Sequence, residues 1–458
     1  MTDSLNPSSD KGYAPGLFSK DYRALSLSLF CITVLVAFEA LAVATAMPVI
    51  ADHLDGLSLY ALAYAGPVAA SVIGMAAAGW LSNARGPRPA FLIGAVCFAS
   101  GLLIAGSAPT MTVLVAGRVV QGLGGGAISV AVYVIVARAY PSSLRPSVFA
   151  LFSAGWVLPS LVGPVVSGLI VTALGWRWLF LLIPALLVPV AWVILVALRR
   201  ISENRQPFES PGQLIWALLA AAMVGLVHIG AHSQGLLQWW LLMGGLAGLL
   251  TIMPRMLPKG TFRLHQGLPR VIALRMTLGA TFFASEAFIP LLLEHEHGLS
   301  PVMAGLALSV GAISWFLGAW IQRRPGLQGR RLPLAGMCAM SAGLLVIFLS
   351  QLVWRSVIPI MAGWGLVGLG MGLGYASLSV LTLALTPEDE QGTTGAALQL
   401  ADALSIAMAL SVGGIAIGHL TAGDPMIYAL CFGFTLLLAC AGLLIAAFLP
   451  QAGRRGAA

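Results

Sequence analysis

Four ionisable residues, Glu39, Arg118, Glu286 and Asp402, interrupt long apolar runs in this chain, and Arg275 falls inside the same run as Glu286. A charge at hydrocarbon depth is costly, faces a cavity or a partner, and marks ion or substrate pathways. Arginine does not release its proton in a protein. A carboxyl does so readily, because an apolar surround favours its protonated form and a nearby cation its ionised form. Glu39 lies about 11 residues from the C-terminal end of its run and Arg118 about 8 from the N-terminal end of its own. At 1.5 Å per residue these are depths of about 16 and 12 Å from one membrane face. Two chemistries fit such a pair. Glu39 exchanges a proton as its surroundings alternate, with Arg118 biasing and neutralising it, or the pair is static and fixes helix register. Gln121, one turn from Arg118, is expected beside the same cavity. Gln399, Asp402 and Ser405 follow at i, i+3 and i+6, a polar stripe down one helix face. Asp402 and Glu286 then line a cargo path, add a second proton site, or hydrogen-bond to a neighbouring helix.

The elements that must hold these groups are membrane helices. Of 458 residues, 59% are hydrophobic and 9% charged, against about a quarter charged in soluble domains. Apolar runs of this length mean helices rather than a barrel. Fourteen candidate spans follow one another, at 24–50, 58–81, 89–107, 110–137, 147–173, 178–198, 212–231, 237–254, 271–293, 301–321, 332–351, 357–385, 392–419 and 427–449. With a cytoplasmic N-terminus, nearly every loop arginine and lysine falls inside, and only Arg177 and Arg355 fall outside, as the positive-inside rule requires. The net charge of +8 then reflects orientation in the membrane, not nucleic-acid binding. Both termini are expected in the cytoplasm, in a multi-pass protein of the plasma or inner membrane.

The chain repeats itself. Pro48, Asp52, His53, Gly56, Leu57 and Ser58 recur as Pro290, Glu294, His295, Gly298, Leu299 and Ser300, all at an offset of 242. Further on the offset is 246, where Gly122, Gly124 and Gly126 meet Gly368, Gly370 and Gly372. The expected organisation is a cytoplasmic tail (1–23), a six-helix bundle (24–199), a linker with two membrane helices (200–270), a second six-helix bundle (271–450) and a tail (451–458). Parallel repeats enclose a site at their interface, and rocking of the halves alternates its exposure. Within this frame Gly122, Gly126 and Gly155 allow close helix contact, and Gly163-Pro164 bends a helix.

Several stretches resemble the major facilitator superfamily, and its fourteen-helix drug:proton antiporter branch in particular. Phe38 to Pro48, with an acid nine residues before a proline, resembles the branch's first-helix motif. Gly79-Trp-Leu-Ser-Asn83-Ala-Arg85-Gly86-Pro-Arg88 resembles the superfamily's cytoplasmic loop motif, with Asn83 where an acid is usual. Arg118 to Gly126 resembles the fourth-helix motif, whose arginine is linked to proton coupling. Gly155 and Gly163-Pro164 resemble the fifth-helix antiporter motif, with Pro159 replacing a usual glycine, and Gly175 to Phe180 resembles the start of helix six. The resemblance implies an all-helical membrane transporter of that fold, with Arg118 linked to proton coupling; the residues themselves add Glu39, Asp402 and Glu286 as proton-coupling candidates and Gln121, Gln399 and Ser405 as candidates for the substrate cavity.

Other classes are disfavoured. The three lysines, Lys11, Lys20 and Lys259, do not follow a glycine as a phosphate-binding loop requires. No nucleophile elbow or zinc-protease helix is present, and the five cysteines show no disulfide or metal spacing. The chain is read as no enzyme, with no cofactor and no metal. Its expected partners are protons, membrane lipids and a small amphipathic substrate or lipid, and it is read as able to act as a monomer. The expectation is proton-coupled export of hydrophobic or amphipathic compounds by alternating access. The alternatives are a lipid exporter or flippase of the same fold and, in another class, a non-transporting membrane sensor or scaffold.

Overall fold

The computed structural model describes residues 16–141, 144–199, 212–231, 233, 235–321, 330–354, 356–386, 391–419 and 426–449. Among them are fourteen long α-helices: α1 (Arg23–His53), α2 (Tyr60–Arg85), α3 (Pro87–Gly106), α4 (Met111–Ala139), α5 (Arg145–Ala173), α6 (Arg177–Leu198), α7 (Gly212–Ala231), α8 (Gly235–Met256), α9 (Leu268–His295), α10 (Pro301–Ile321), α11 (Arg331–Leu349), α12 (Val357–Ala384), α13 (Gln391–His419) and α14 (Met426–Ala447). Twelve are long and apolar enough to cross a membrane outright, and α5 is a thirteenth if its two arms count as one span. α7 contributes a shorter apolar stretch, Leu214–Gly230.

Helix ends sort the arginines. Arg23, Arg85, Arg138, Arg255, Arg270 and Arg331 all lie in the terminal turns of helices that alternate in direction, which gathers them at one end of the molecule, called here the arginine-rich end. At the opposite end Arg177 covers the ring of Trp176 at 4.3 Å and donates to the Ala108 carbonyl at 3.1 Å.

One packing pattern occurs twice. α4 lies between α2 and α3 while α1 packs on α5 and α6; α12 lies between α10 and α11 while α9 packs on α13 and α14. The glycine ladders explain the first contact in each set. A side chain at Gly122 or Gly126 would strike the backbone of Pro67 or Ser71 on α2, and one at Gly117 or Gly124 the backbone of α3. In the second copy Gly368 and Gly372 lie on the backbone of α10, and Gly363 and Gly370 on that of α11. Each ladder helix is thus glycine on two faces because it touches two neighbours at backbone distance.

The two sets meet along two seams, α5 with α10 and α2 with α13. α7 packs on α8 and also on both α2 and α13. The arms of α5, Ala154–Ser160 and Val165–Ala173, diverge by 49° around the Gly163-Pro164 step, where the proline withdraws a backbone donor.

Candidate functional site

α1 and α9 pack against each other across the two helix sets, and each contributes one member of a buried ion pair. Glu39, about 24 Å along α1 from Arg23, is 5% exposed. Its Oε1 accepts from Arg118 Nη1 at 2.5 Å. The same Nη1 donates to Gln121 Oε1 at 2.7 Å, and Arg118 Nε donates to the Ala63 carbonyl of α2 at 3.3 Å. Glu39 Oε2 accepts no hydrogen bond among the described residues. Gln121 is buried and is a partner of the arginine. Behind the pair Gly155 meets Thr33 and Phe30 of α1, Gly163 meets Phe38 and Leu41, and Ser167 Oγ donates to the Ala42 carbonyl at 3.0 Å. The bent helix α5 thus lies along the face of α1 away from the acid.

The second pair was legible only in part. Asp402 is buried, and its partner is Arg275 on α9, an arginine that reads in sequence only as an in-span charge. Arg275 Nε donates to both Asp402 oxygens at 3.1 Å, and Nη2 donates to Oδ2 at 3.0 Å. Nη1 donates to the Tyr375 carbonyl at 2.9 Å and to Ser379 Oγ at 2.6 Å. The guanidinium lies over the Tyr375 ring at 3.2 Å, and the Tyr375 hydroxyl donates to Asp402 Oδ2 at 3.1 Å. Gly279, one turn from Arg275, leaves room for Oδ1. Both oxygens of Asp402 are occupied, whereas Glu39 keeps one free. Ser405 bonds back to its own helix at the Asp402 carbonyl, 3.0 Å away, and is buried. Gln399 reaches across to the first half and donates to the Tyr133 hydroxyl at 3.2 Å.

Glu286, partly exposed on α9, makes no hydrogen bond or ion pair among the described residues. It lies within electrostatic reach of the Tyr64 hydroxyl of α2, as does Arg118 from the other side. One residue on, the Ala287 carbonyl accepts from Tyr60 of α2 at 2.8 Å. Further contacts close the halves at this end. Gly168 lies on the backbone of Pro301 and Val302, Gly414 on Ala61, and His295 Nε2 approaches Asp52 Oδ1 at 3.4 Å without hydrogen-bond alignment.

At the turn after α2, Gly86 adopts φ +85°, a conformation that favours glycine. Arg85 and Arg88 beside it are exposed, and Gly79 has open space around its Cα. The Asn83 and Pro164 side chains lie outside the described ones. Arg138, not singled out in sequence, donates to the Ser82 carbonyl at 3.2 Å and ties α4 to this turn.

Each of the two repeated helix sets thus buries one ion pair. The Major Facilitator Superfamily model matches residues 29–410. The chain belongs to the Major Facilitator Superfamily. As a member it is a multi-pass membrane transporter and not an enzyme. Among its relatives is multidrug resistance protein Stp of Mycobacterium tuberculosis (strain ATCC 25618 / H37Rv), 26% identical over 412 residues that span 85% of this chain and 74% of Stp. Multidrug resistance protein 3 of Bacillus subtilis (strain 168) is 25% identical over 355 residues, 74% of this chain and 69% of that protein. The fold matches a D-xylose-proton symporter, with a TM-score of 0.63 at 16% identity, over 93% of this chain and 98% of the symporter. A POT family transporter in complex with 5-aminolevulinic acid matches with a TM-score of 0.67 at 16% identity, over 92% of this chain and 94% of that one.

Proposed function

We propose that this protein is a proton-coupled antiporter that exports hydrophobic or amphipathic compounds by alternating access. In this reading all fourteen helices cross the membrane, two six-helix halves rock about the seams, and α7 and α8 form the linker. The arginine-rich end, with both termini, is cytoplasmic by the positive-inside rule. The names of the relatives support export of small compounds.

The observation that carries the reading is the unequal saturation of the two buried acids. Asp402 has both oxygens engaged, so a proton on either one displaces a guanidinium contact, Nε at Oδ1 or Nε and Nη2 together with the Tyr375 hydroxyl at Oδ2. Glu39 has one oxygen bound and one free, so a proton can be added to Oε2 at the cost of a single partner. Arg118 then keeps its hydrogen bonds to Gln121 and the Ala63 carbonyl. Glu39 is the main proton site, Arg118 sets its charge balance, and Glu286 and Asp402 line the cargo path. Gln399 borders that path toward the arginine-rich end, Gln121 and Ser405 support the acids from behind, and the Gly163-Pro164 bend gives α5 its hinge.

Proteoliposomes with an imposed pH gradient test this. Glu39→Gln is expected to abolish proton-driven uptake of a fluorescent amphipath, a fall of at least about 100-fold given the magnitude of general acid–base effects, while cargo counterflow without a gradient persists. Undiminished proton-driven transport in Glu39→Gln overturns the assignment.

A further inference from the structure

A cavity of about 360 Å³ lies at the arginine-rich end, between the loop that follows α8 and the ends of α9 and α14. Small-molecule sites span about 300–1,000 Å³. Its wall is Leu264 of the loop, Arg270 in the first turn of α9, and Ala441, Leu444, Ile445 and Phe448. The last four follow at i, i+3, i+4 and i+7, one apolar face at the end of α14. Leu444 and Phe448 are 66% and 70% exposed, so the cavity borders the flank that a bilayer covers.

The loop is wound to fit this place. Gly260 and Gly267 take φ +90° and +91°, and Leu264 between them takes φ +52°, a left-handed conformation that L side chains rarely adopt. Arg270 fastens it. Its Nε and Nη2 donate to the Leu264 carbonyl at 3.0 and 2.7 Å, and its Nη1 donates to the Phe448 carbonyl. One arginine thus ties the loop to α14 and frames the cavity. What Arg270 lacks is an anion. A guanidinium has five N–H donors, and these three bonds leave two. All its acceptors are neutral carbonyls, and among the described residues no carboxylate pairs with it. No Asp or Glu occurs from Ser210 to Ser285 or from Pro425 to Ala458, while Lys259 and Arg263 are exposed on the same loop. The chain's own C-terminal tail brings Arg454 and Arg455, the wrong sign to fill the site.

A free anion would answer the charge and leave the apolar wall wet. A neutral lipid would cover the wall and leave the charge unanswered. We propose that this cavity binds one anionic phospholipid, its phosphate on Arg270 and one acyl chain along Leu264 and the α14 face. Basic pockets at the ends of membrane helices suit such headgroups, and each buried methylene adds to the affinity. The bound lipid supplies the missing counter-charge and holds the α8–α9 loop on the second helix set. This does not depend on the exporter reading.

Native mass spectrometry of the full-length protein tests it, with phosphatidylglycerol and phosphatidylcholine of matched chains as probes. Wild type is expected to bind its first phosphatidylglycerol at least about tenfold more tightly than phosphatidylcholine, the scale of one charge-assisted hydrogen bond. Arg270→Gln should erase that preference. Arg23→Gln, which removes a charge at the same end on the first helix set, should keep it. Ala441→Trp fills the cavity without touching Arg270, and should weaken the first phosphatidylglycerol even if Arg270→Gln fails to fold. Glycerol phosphate, the headgroup without chains, should not displace the lipid. Equal binding of the two lipids by wild type, an undiminished preference in Arg270→Gln, an equal loss in Arg23→Gln, or unaltered binding in Ala441→Trp overturns the proposal. Displacement by glycerol phosphate would show a free-anion site, and a protein dimer that excludes the lipid would make the occupant a second copy; either result overturns it too.

Discussion

At the residue scale, Arg275 and Asp402 show how a buried pair can be saturated. The guanidinium spends its donors on two carboxylate oxygens, a carbonyl and a hydroxyl, and its face on a ring. Removing one partner strands the other charge, which costs about 3–5 kcal/mol in buried pairs. Arg275→Leu is therefore expected to lower the melting temperature sharply in detergent. The double variant Arg275→Leu with Asp402→Asn should recover most of that loss, since no bare charge remains. Additive losses in the double variant would show the two residues to be uncoupled. The same comparison explains what sequence discloses. Glu39 and Arg118 could be matched because depth counted from two helix ends agreed, and Arg118 carries its own partner Gln121 one turn away. Arg275 could not be matched to Asp402, because the link depends on α9 packing against α13, and no local pattern encodes a contact 127 residues long. Tyr375 and Ser379 were invisible for the same reason, since a tyrosine and a serine in an apolar helix carry no signal until a cation is placed beside them.

At the element scale, α4 is built to be thin. Among its glycines Gly124 and Gly125 are neighbours in sequence but not in demand. A Cβ at Gly124 would press on the Phe98 backbone, whereas one at Gly125 would make an ordinary contact with the Phe98 ring at 3.7 Å. Gly124→Ala is expected to destabilise by about 1–3 kcal/mol through overpacking. Gly125→Ala should be neutral or gain up to about 1 kcal/mol from helix propensity. Parallel thermal melts of the two variants check the contrast, and equal effects would contradict the backbone contact. The ladder was readable in sequence because it repeats at a fixed offset, but which neighbour each glycine touches was not. The repeat also breaks informatively. Trp364, at the position related to Arg118, is buried, stacks on Phe282 at 5.1 Å and donates to the Leu308 carbonyl at 3.4 Å. The second half fills with an indole the place where the first half keeps a charge.

At the scale of the whole molecule, contacts between the halves among the described residues gather at the end opposite the arginines. Tyr60 to Ala287 is the best aligned of them. If the halves part there during transport, Tyr60→Phe deletes a bond made only in the closed form. One neutral hydrogen bond is worth about 0.5–1.5 kcal/mol, so the population open at that end should rise roughly 2- to 12-fold. Spin labels at Ser58 and Ser300, repeat-related positions exposed beside this seam, would report a longer-distance component growing in Tyr60→Phe. An unchanged distance distribution would mean that the bond does not hold the seam. The fold as a whole was legible because hydropathy, loop charge and repeat all agree on it. The seams were not, since two helices that meet across an interface look in sequence like any two helices that face lipid.

Helix α7 carries a consequence of its own. It packs on α2 and α13 together, so it covers one of the two seams from the bilayer side. Among the described residues, neither α7 nor α8 packs on the α5–α10 seam. The twofold pseudosymmetry of the helix sets therefore does not extend to their surroundings: one flank is shuttered and the other is bare. A greasy molecule diffusing in the plane of a surrounding bilayer would meet these flanks as two different surfaces.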